Sequence, residues 1–450
     1  MGNPSSRTAL PFALLTPPLT AGFATHYINE KNSHYNFRLL LFLPLLCRAA
    51  RPAISDMHKL LLIAALAAAP VGAALAQPAA PIAAKQSALS VEQIAGHYAQ
   101  LVHAGYSDSL QAAQAMQKAI NRLLAKPSAE SLAAARKAWL HARNFYGQTE
   151  AFRFYDGPID NEEGPEGRIN AWPMDESYVD YVQGSDQAGI VNDREQTITA
   201  EALSELNEKD GEENIATGWH AIEFLLWGQD LSASGPGARP HTDFVDGKKP
   251  NADRRRQYLQ VVTDLLIEDL ATVQAAWAPG VADNYRAEFA AGGNESIRKI
   301  FVGLGSLSRG ELAGERLEVA LASQDQEDEH SCFSDNTHND AIANAKGIEN
   351  VWLGQYRRLD GSLLRGPGLR DWVALKNPAL AQETTAHIRK SVAGAQQIPV
   401  PFDQAIQGQR SSPARARIQA VIDSLTQQSK DLAAAAQAVG IDRLNIVQPE

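Results

Sequence analysis

The chain is long and acidic: it has 450 residues, 41 Lys and Arg, 52 Asp and Glu, and a formal net charge of −11. This length allows two globular domains, and 44% hydrophobic residues are enough for a sizeable core. Nucleic acid and anionic membrane surfaces are not expected partners, because both repel negative charge. Of the two cysteines, Cys47 lies in a segment expected to be removed, so no intrachain disulfide is predicted.

An export signal is predicted well inside the chain. Met57 is followed by His58 and Lys59, an apolar run over residues 60–69 and small residues before Gln77. A charged start, a short apolar core and a small-residue cleavage site are typical of a secretory signal peptide. We therefore expect translation to start at Met57 and the protein to be exported to the periplasm.

This interpretation divides the first 87 residues into three parts. Residues 1–56 are expected to precede the true start and to be unstructured, residues 57–76 to form the signal peptide, and residues 77–87 to form a flexible leader. No later apolar run reaches the ~20 residues that a membrane-spanning helix needs. The mature chain is therefore expected to have no transmembrane segment.

Helical periodicity runs through the remaining sequence. Ser90 and Gln93 form a predicted capping box for a helix that continues to Leu124, and Pro127 ends that helix. A second helix is predicted over residues 133–154. Four of its residues fall at helical spacings along one side: Trp139, Arg143, Tyr146 and Glu150. Further helices are predicted over residues 197–207, 252–276 with Asn251 as the cap, and 298–321 with a cap near Asn294.

Residues 156–175 form a long irregular segment that is rich in Pro and Gly. Structureless loops of this length in a compact domain are usually functional or disordered. Ile169 and Trp172 argue against disorder, because large apolar side chains need burial. We expect an ordered loop that packs over the domain as the lid of a site.

The fold class predicted from these patterns is all-α. No strand-like alternation persists for more than a few residues. Residues 221–229 can be aligned with residues 347–355, with Ile, Glu, Gly and Gln at matching positions, although so few matches can arise by chance. The repeat predicts two pseudo-repeated, four-helix-bundle-like domains packed face to face, over residues 88–250 and 251–445.

A short glycine-bounded helix is the most informative stretch of the sequence. Residues 218–228 read as a buried helix that carries His220 and Glu223. Side chains three residues apart are neighbours on a helix, so these two can share one ligand. A buried carboxylate must be paired, hydrogen-bonded or bound to a metal. The alternative to a metal is a structural His–Glu pair that holds two helices in register.

Four stretches of the sequence resemble one known family. Residues 218–223, Gly-Trp-His-Ala-Ile-Glu, fit the Gly-x-His-x-x-Glu signature of the imelysin-like family. Residues 149–154, 169–176 and 323–338 resemble its iron-regulated protein A branch. The resemblance extends over nearly all of the chain after the leader. It implies a divalent metal ion, iron or zinc, at His220 and Glu223, and iron-uptake membrane components as partners.

Other carboxylates and a second histidine are candidate ligands. Glu150 could supply a third ligand, and a salt bridge to Arg143 or Arg153 is the alternative role. Residues 325–340 are the most polar stretch, which fits either a solvated acidic loop or a hard-cation site. The secondary candidates are Glu329, His330, Asp335 and, from the second copy of the repeat, Glu349.

These features are compatible with two functions from different classes and with a third, less favoured one. The first is a periplasmic protein that binds iron or another divalent cation, or a small ligand through it. The second is a zinc-dependent metallopeptidase, because the family includes an insulin-cleaving peptidase. The His-Glu-x-x-His motif is absent, and His-x-x-Glu supplies only two of the three ligands of a usual catalytic zinc, so we favour binding. The third is a periplasmic scaffold with a purely structural His–Glu pair.

Overall fold

The computed structural model describes residues 89–449, which belong to one compact unit. The predictions for residues 1–56, 57–76 and 77–87 lie outside this range. The all-α prediction is confirmed, with one small departure in the described residues. Two three-residue strands, Gln355–Arg357 and Leu363–Arg365, pair in antiparallel fashion. Strands this short leave no readable alternation in a sequence.

Fifteen α-helices follow one another in the described residues. They are α1 (Val91–Ala125), α2 (Ala129–Thr149), α3 (Glu166–Asn170), α4 (Glu176–Val179), α5 (Ala200–Leu206), α6 (Gly218–Trp227), α7 (Ala252–Ala276), α8 (Tyr285–Ala291), α9 (Asn294–Ser306), α10 (Val319–Ser323), α11 (Thr337–Leu353), α12 (Leu369–Lys376), α13 (Pro378–Ala395), α14 (Phe402–Ala405) and α15 (Pro413–Ala438). A π-helix, Leu307–Glu318, joins α9 to α10, and 3-10 turns cover Glu150–Phe152, His241–Phe244 and Gln326–Asp328.

Some helix ends lie where the capping residues in the sequence predicted them, and others do not. Ser90 and Gln93 form the predicted capping box at the start of α1. Helix α2 starts at Ala129, earlier than predicted, because Ser128 caps it, and its α-helical part ends at Thr149. Asn251 precedes α7 as predicted, but its backbone is left-handed and its side chain makes no capping hydrogen bond. The capping role predicted for its side chain is therefore wrong.

The helix predicted over residues 298–321 is interrupted. Helix α9 begins at Asn294, and the π-helix Leu307–Glu318 separates it from α10. A π-helix has an i→i+5 bonding pattern and is rare, so an apolar periodicity of 3.6 residues does not reveal it. Arg316 lies in this π-helix and is 2% exposed.

Two groups of helices pack around a continuous hydrophobic core. Helices α1, α2, α6 and α7 contact one another, and α11, α13, α15 and the π-helix form a second group. Helix α2 packs on α11 and joins the groups. Helix α7 packs with the first group although it follows residue 250. The predicted domain boundary at that residue stays a prediction.

Within residues 89–449, no helix combines the length and the apolar character that crossing a lipid bilayer requires.

Candidate functional site

The predicted motif helix lies in the middle of the core. All ten residues of α6 are buried. It starts at Gly218, whose φ is +82° and where a Cβ atom would lie 2.5 Å from the carbonyl oxygen of Ile169. A positive φ is strained for residues with a Cβ atom, and glycine lacks the Cβ that so close an approach would exclude. The helix start is therefore fixed against α3, and His220 and Glu223 are held in the interior.

His220 and Glu223 contact each other, as their spacing predicted. Nδ1 of His220 lies 2.9 Å from Oε2 of Glu223, and the two residues are 1% and 0% exposed. The other carboxyl oxygen, Oε1, accepts hydrogen bonds from the backbone N–H of Ser334 at 2.9 Å and from its hydroxyl at 2.7 Å. Protein groups therefore satisfy both oxygens of Glu223.

Burial sets the proton positions in this pair. It raises the pKa of Glu223 to about 8. Burial, together with the charge of Arg143, lowers the pKa of His220 well below its usual range. Near neutral pH, Glu223 therefore holds a proton on Oε2, because Oε1 already accepts two hydrogen bonds, and donates it to Nδ1 of a neutral His220. When Glu223 loses that proton, Nδ1–H becomes the donor and the lone pair of Nε2 is freed.

A second histidine–carboxylate pair lies against the first. Nδ1 of His330 lies 2.9 Å from Oδ2 of Asp340, which also accepts from the hydroxyl of Ser331 at 2.5 Å. The rings of His220 and His330 are 4.8 Å apart between centroids and nearly perpendicular. Burial, with the charges of nearby arginines, lowers the pKa of His330 well below its usual range. The site thus contains two neutral imidazoles.

The guanidinium of Arg143 lies between the two imidazoles. Its Nη2 is 3.4 Å from Nε2 of His220 and 3.3 Å from Nε2 of His330. Its Nε is 3.3 Å from Oδ1 of Asp340, and its Nη1 donates to the side-chain oxygen of Asn170. Arg143 is fully buried. We call Arg143, His220, Glu223, His330 and Asp340 the histidine centre.

This arrangement has no place for a resident metal ion. In residues 89–449, no three His, Cys, Asp or Glu side chains are grouped so that they could hold one. The positive charge of Arg143 occupies the space between the imidazole nitrogens, and two cations repel each other at this distance. A metal fits the histidine centre only if the guanidinium leaves.

The segment predicted as a lid covers the histidine centre. It contains the short helix α3, Glu166–Asn170, and its Asn170 contacts Arg143. The ring of Trp172 packs edge to face on His330, with centroids 5.9 Å apart, and is partly exposed. Through this contact a partly exposed side chain of the segment packs on a buried ligand candidate. The opening of the segment stays a prediction.

Glu150 lies in a separate buried cluster. Its Oε1 and Oε2 accept hydrogen bonds from Arg316 at 3.0 and 2.5 Å, and Oε2 also pairs with Arg153 at 3.2 Å. Burial favours the neutral acid, but the two arginines outweigh it and lower the pKa of Glu150 to about 2. Its charge is balanced without a metal, which leaves Glu150 out of the site proposed below.

The secondary candidate metal ligands lie in different parts of the structure. His330 joins His220, as described above. Glu349 is partly buried on α11, where its carboxylate lies 3.8 Å from Arg389, away from the histidine centre. Glu329 is buried with no hydrogen-bond partner for either carboxyl oxygen, and Asp335 is partly buried beyond it in the same segment.

Sequence reasoning missed two members of the histidine centre. Arg143 was visible as part of one side of its helix, with Trp139 and Tyr146, but nothing in the pattern indicated that it contacts the histidines. Asp340 was one of many acidic residues after position 325 and had no distinguishing signal. Only the folded structure shows that both residues contact the histidines.

Comparison with known proteins agrees with this architecture. The family model described as Imelysin matches residues 102–432. The chain belongs to the imelysin family. It is 26% identical over 360 residues to iron-regulated protein A of Synechococcus elongatus, a match that covers 76% of this chain and 86% of that protein.

Two solved structures share the imelysin fold seen here. A candidate iron-regulated protein A precursor from Parabacteroides distasonis aligns with a TM-score of 0.61 and 18% identity, over 79% of this chain and 97% of that one. An imelysin-like protein from Psychrobacter arcticum aligns with a TM-score of 0.57 and 14% identity, over 79% and 98%. At these identities the likeness concerns the fold alone.

Proposed function

We propose that this imelysin-family chain is an exported, periplasmic protein that binds iron or another divalent cation, or a small ligand through it. The observation that carries the proposal is the pair of neutral imidazoles, His220 and His330, each backed at Nδ1 by a carboxyl group. A carboxylate that accepts from one ring N–H orients the other ring nitrogen toward a metal. His220 offers Nε2 in this way once Glu223 has lost its proton. The similarity to iron-regulated protein A supports an iron-related context.

In this proposal the guanidinium of Arg143 occupies, in the metal-free protein, the position that the cation takes when it binds. The guanidinium lies within 3.4 Å of Nε2 of both histidines and is balanced by Asp340. A divalent cargo ion would bring two positive charges in place of the one on Arg143. Its charge is balanced beside Asp340 only when Glu223 loses its proton as the ion binds. The segment that carries Asn170 and Trp172 has to move, because the centre is closed to solvent.

Burial favours binding over hydrolysis. A peptidase needs a metal with an open position and a path for peptide and water. His220 and His330 are only 1% and 2% exposed, and Arg143 occupies the space between them. A zinc-dependent metallopeptidase of the imelysin type is the alternative function. Chelator-sensitive cleavage of insulin chains by the purified protein, lost in His220→Ala, would favour it.

Calorimetry and elemental analysis of the purified mature protein test the proposal. We expect uptake of Fe²⁺ under anaerobic conditions or of Zn²⁺, with loss of binding in His220→Ala and His330→Ala. Arg143→Gln should bind at least about tenfold more tightly, because the competing guanidinium is gone. Glu349→Gln is the matched control and should bind like the wild type. Absence of uptake by both the wild type and Arg143→Gln would leave a scaffold with structural pairs.

The periplasmic location and the membrane partners are tested separately. Amino-terminal sequencing of the exported protein should begin near Gln77, as the signal-peptide prediction requires. Cross-linking in iron-starved cells should capture iron-uptake membrane components. Recovery of a mature protein that retains residues before Met57 would contradict the export scheme.

A further inference from the structure

The segment that follows α15 packs on one side of the π-helix. Helix α15 ends at Ala438, and the chain turns at Gly440, whose φ is +87°. We call residues 441–449 the tail; they have no regular secondary structure, and the backbone N–H of Val447 donates to the hydroxyl of Ser306 at 3.0 Å. Segments of this kind are usually the mobile parts of a protein. Specific contacts therefore hold the tail in its place.

Glycines of α9 and the π-helix make room for the tail: Gly305, Gly310 and Gly314. At each of them, the atom nearest to an added Cβ would belong to the tail. At Gly310 that Cβ would lie 2.9 Å from the carbonyl oxygen of Val447, and at Gly305 it would lie 2.7 Å from Cδ1 of Ile446. Glycine is the residue that allows so close an approach of another backbone. Any other residue at Gly310 would therefore force the tail to move.

The π-helix needs support from its neighbours. π-Helices are rare and occur mostly as single turns, yet this one extends over 12 residues, Leu307–Glu318. Two of these residues are Gly310 and Gly314, and glycine disfavours a helix more than any residue except proline. Contacts with neighbouring segments, the tail among them, therefore stabilise an element that its local sequence does not favour.

The π-helix also brings Arg316 and Glu311 together. Nη2 of Arg316 lies 2.6 Å from Oε1 of Glu311, five residues earlier, and 2.5 Å from Oε2 of Glu150. On an α-helix, residues five apart point about 140° away from each other. The i→i+5 pattern of a π-helix brings residues at that spacing close to the same side. The ion pair between Glu311 and Arg316 therefore depends on the π form.

We propose that the tail is a detachable brace that holds residues 307–318 in the π form and keeps Arg316 in place. When the tail leaves, the π-helix opens more often, and the pair between Arg316 and Glu311 separates. Arg316 is then no longer fixed beside Glu150, so the tail controls the charge balance of that buried acid. The tail can leave without unfolding the protein, because five of its nine residues are exposed.

Hydrogen exchange of the purified protein, followed by NMR, tests the proposal. Ile446→Asp places a charge in the tail where it packs on Gly305. This variant should exchange at least about tenfold faster than the wild type, both at the backbone N–H of Val447 and over residues 307–318. Its melting temperature should stay within about 4 °C of the wild-type value, because Ile446 is only partly buried.

A second variant and a double-mutant comparison test the two parts of the proposal. Gly310→Ala takes space that the tail backbone uses, so exchange at the N–H of Val447 should again be at least about tenfold faster. Glu150→Gln should lower the urea midpoint in the Ile446→Asp background by about half as much as in the wild type, or less. The reason is that Arg316 is no longer held beside that acid.

Matched controls separate release of the tail from general effects. Asn445→Asp adds the same charge at an exposed position of the tail, and Gly96→Ala changes a helical glycine with open space around it; both should exchange like the wild type. His220→Ala should also leave the tail in place, so this proposal and the proposed function can fail independently. The proposal is overturned if Val447 stays slow in both test variants, or if it becomes fast while residues 307–318 exchange as before.

Discussion

Replacing Glu223 by Gln should change how the stability of the protein depends on pH. Burial raises the pKa of this carboxyl to about 8, from a usual value of 4.5. The unfolded chain therefore loses the proton near pH 4.5, whereas the folded protein keeps it up to about pH 8. Between these values the folded state binds more protons than the unfolded state. The contribution of Glu223 to the free energy of unfolding should thus fall as pH rises through this window, and level off above it.

The size of the effect follows from the shift. The difference between the folded and unfolded pKa values of Glu223, about 8 against 4.5, corresponds to about 4 to 5 kcal/mol in the free energy of unfolding across the whole window. Glutamine resembles the protonated acid: its oxygen can accept from Ser334, and its amide can donate to Nδ1 of His220. Glu223→Gln should therefore lie within about 1 kcal/mol of the wild type near pH 5. By pH 9 it should be more stable than the wild type by about 4 to 5 kcal/mol.

Urea unfolding of both proteins between pH 5 and pH 9, at constant ionic strength, measures this difference. Titrating groups that do not contact residue 223 are common to the two chains and cancel in the comparison. Glu162→Gln, which changes an exposed loop carboxylate, is the control and should follow the wild type at each pH. A gap between wild type and Glu223→Gln that stays constant over this range would refute the assignment of a buried, neutral Glu223.

Four further outcomes are expected from single substitutions. Trp172→Ala removes the partly exposed ring over the histidine centre, so stopped-flow uptake of the cargo cation should speed up with little change in affinity. Glu150→Gln leaves two buried arginines with less balancing charge and should cost about 3 to 5 kcal/mol in chemical denaturation. Glu349→Gln removes only a long, partly exposed ion pair with Arg389 and should stay within about 0.5 kcal/mol of the wild type. Gly218→Ala combines a positive φ with a clash at α3, and should lower stability by at least about 1 to 3 kcal/mol, measured by its urea midpoint.

The local patterns in the sequence identified most of the helices and the family. The capping box at Ser90, the break at Pro127 and the glycine-bounded motif helix each depend on neighbouring residues, so a linear reading captures them. The contact between His220 and Glu223 follows from helix geometry alone. The resemblance to imelysin-like proteins rested on the same short stretches.

Only the tertiary structure shows which groups partner the buried charges. Arg143 reaches His220 and His330 from α2, whereas Ser334 and Asp340 come from the distant region just before and at the start of α11. Their approach depends on how α2, α6 and the segment before α11 pack, and no local periodicity encodes that packing. The same holds for Glu150, whose spacing allowed a metal ligand but whose neighbours are arginines. Which carboxyl groups are neutralised by arginine, by a proton or by a cation is decided by these distant contacts, because burial makes unbalanced charge too costly to leave.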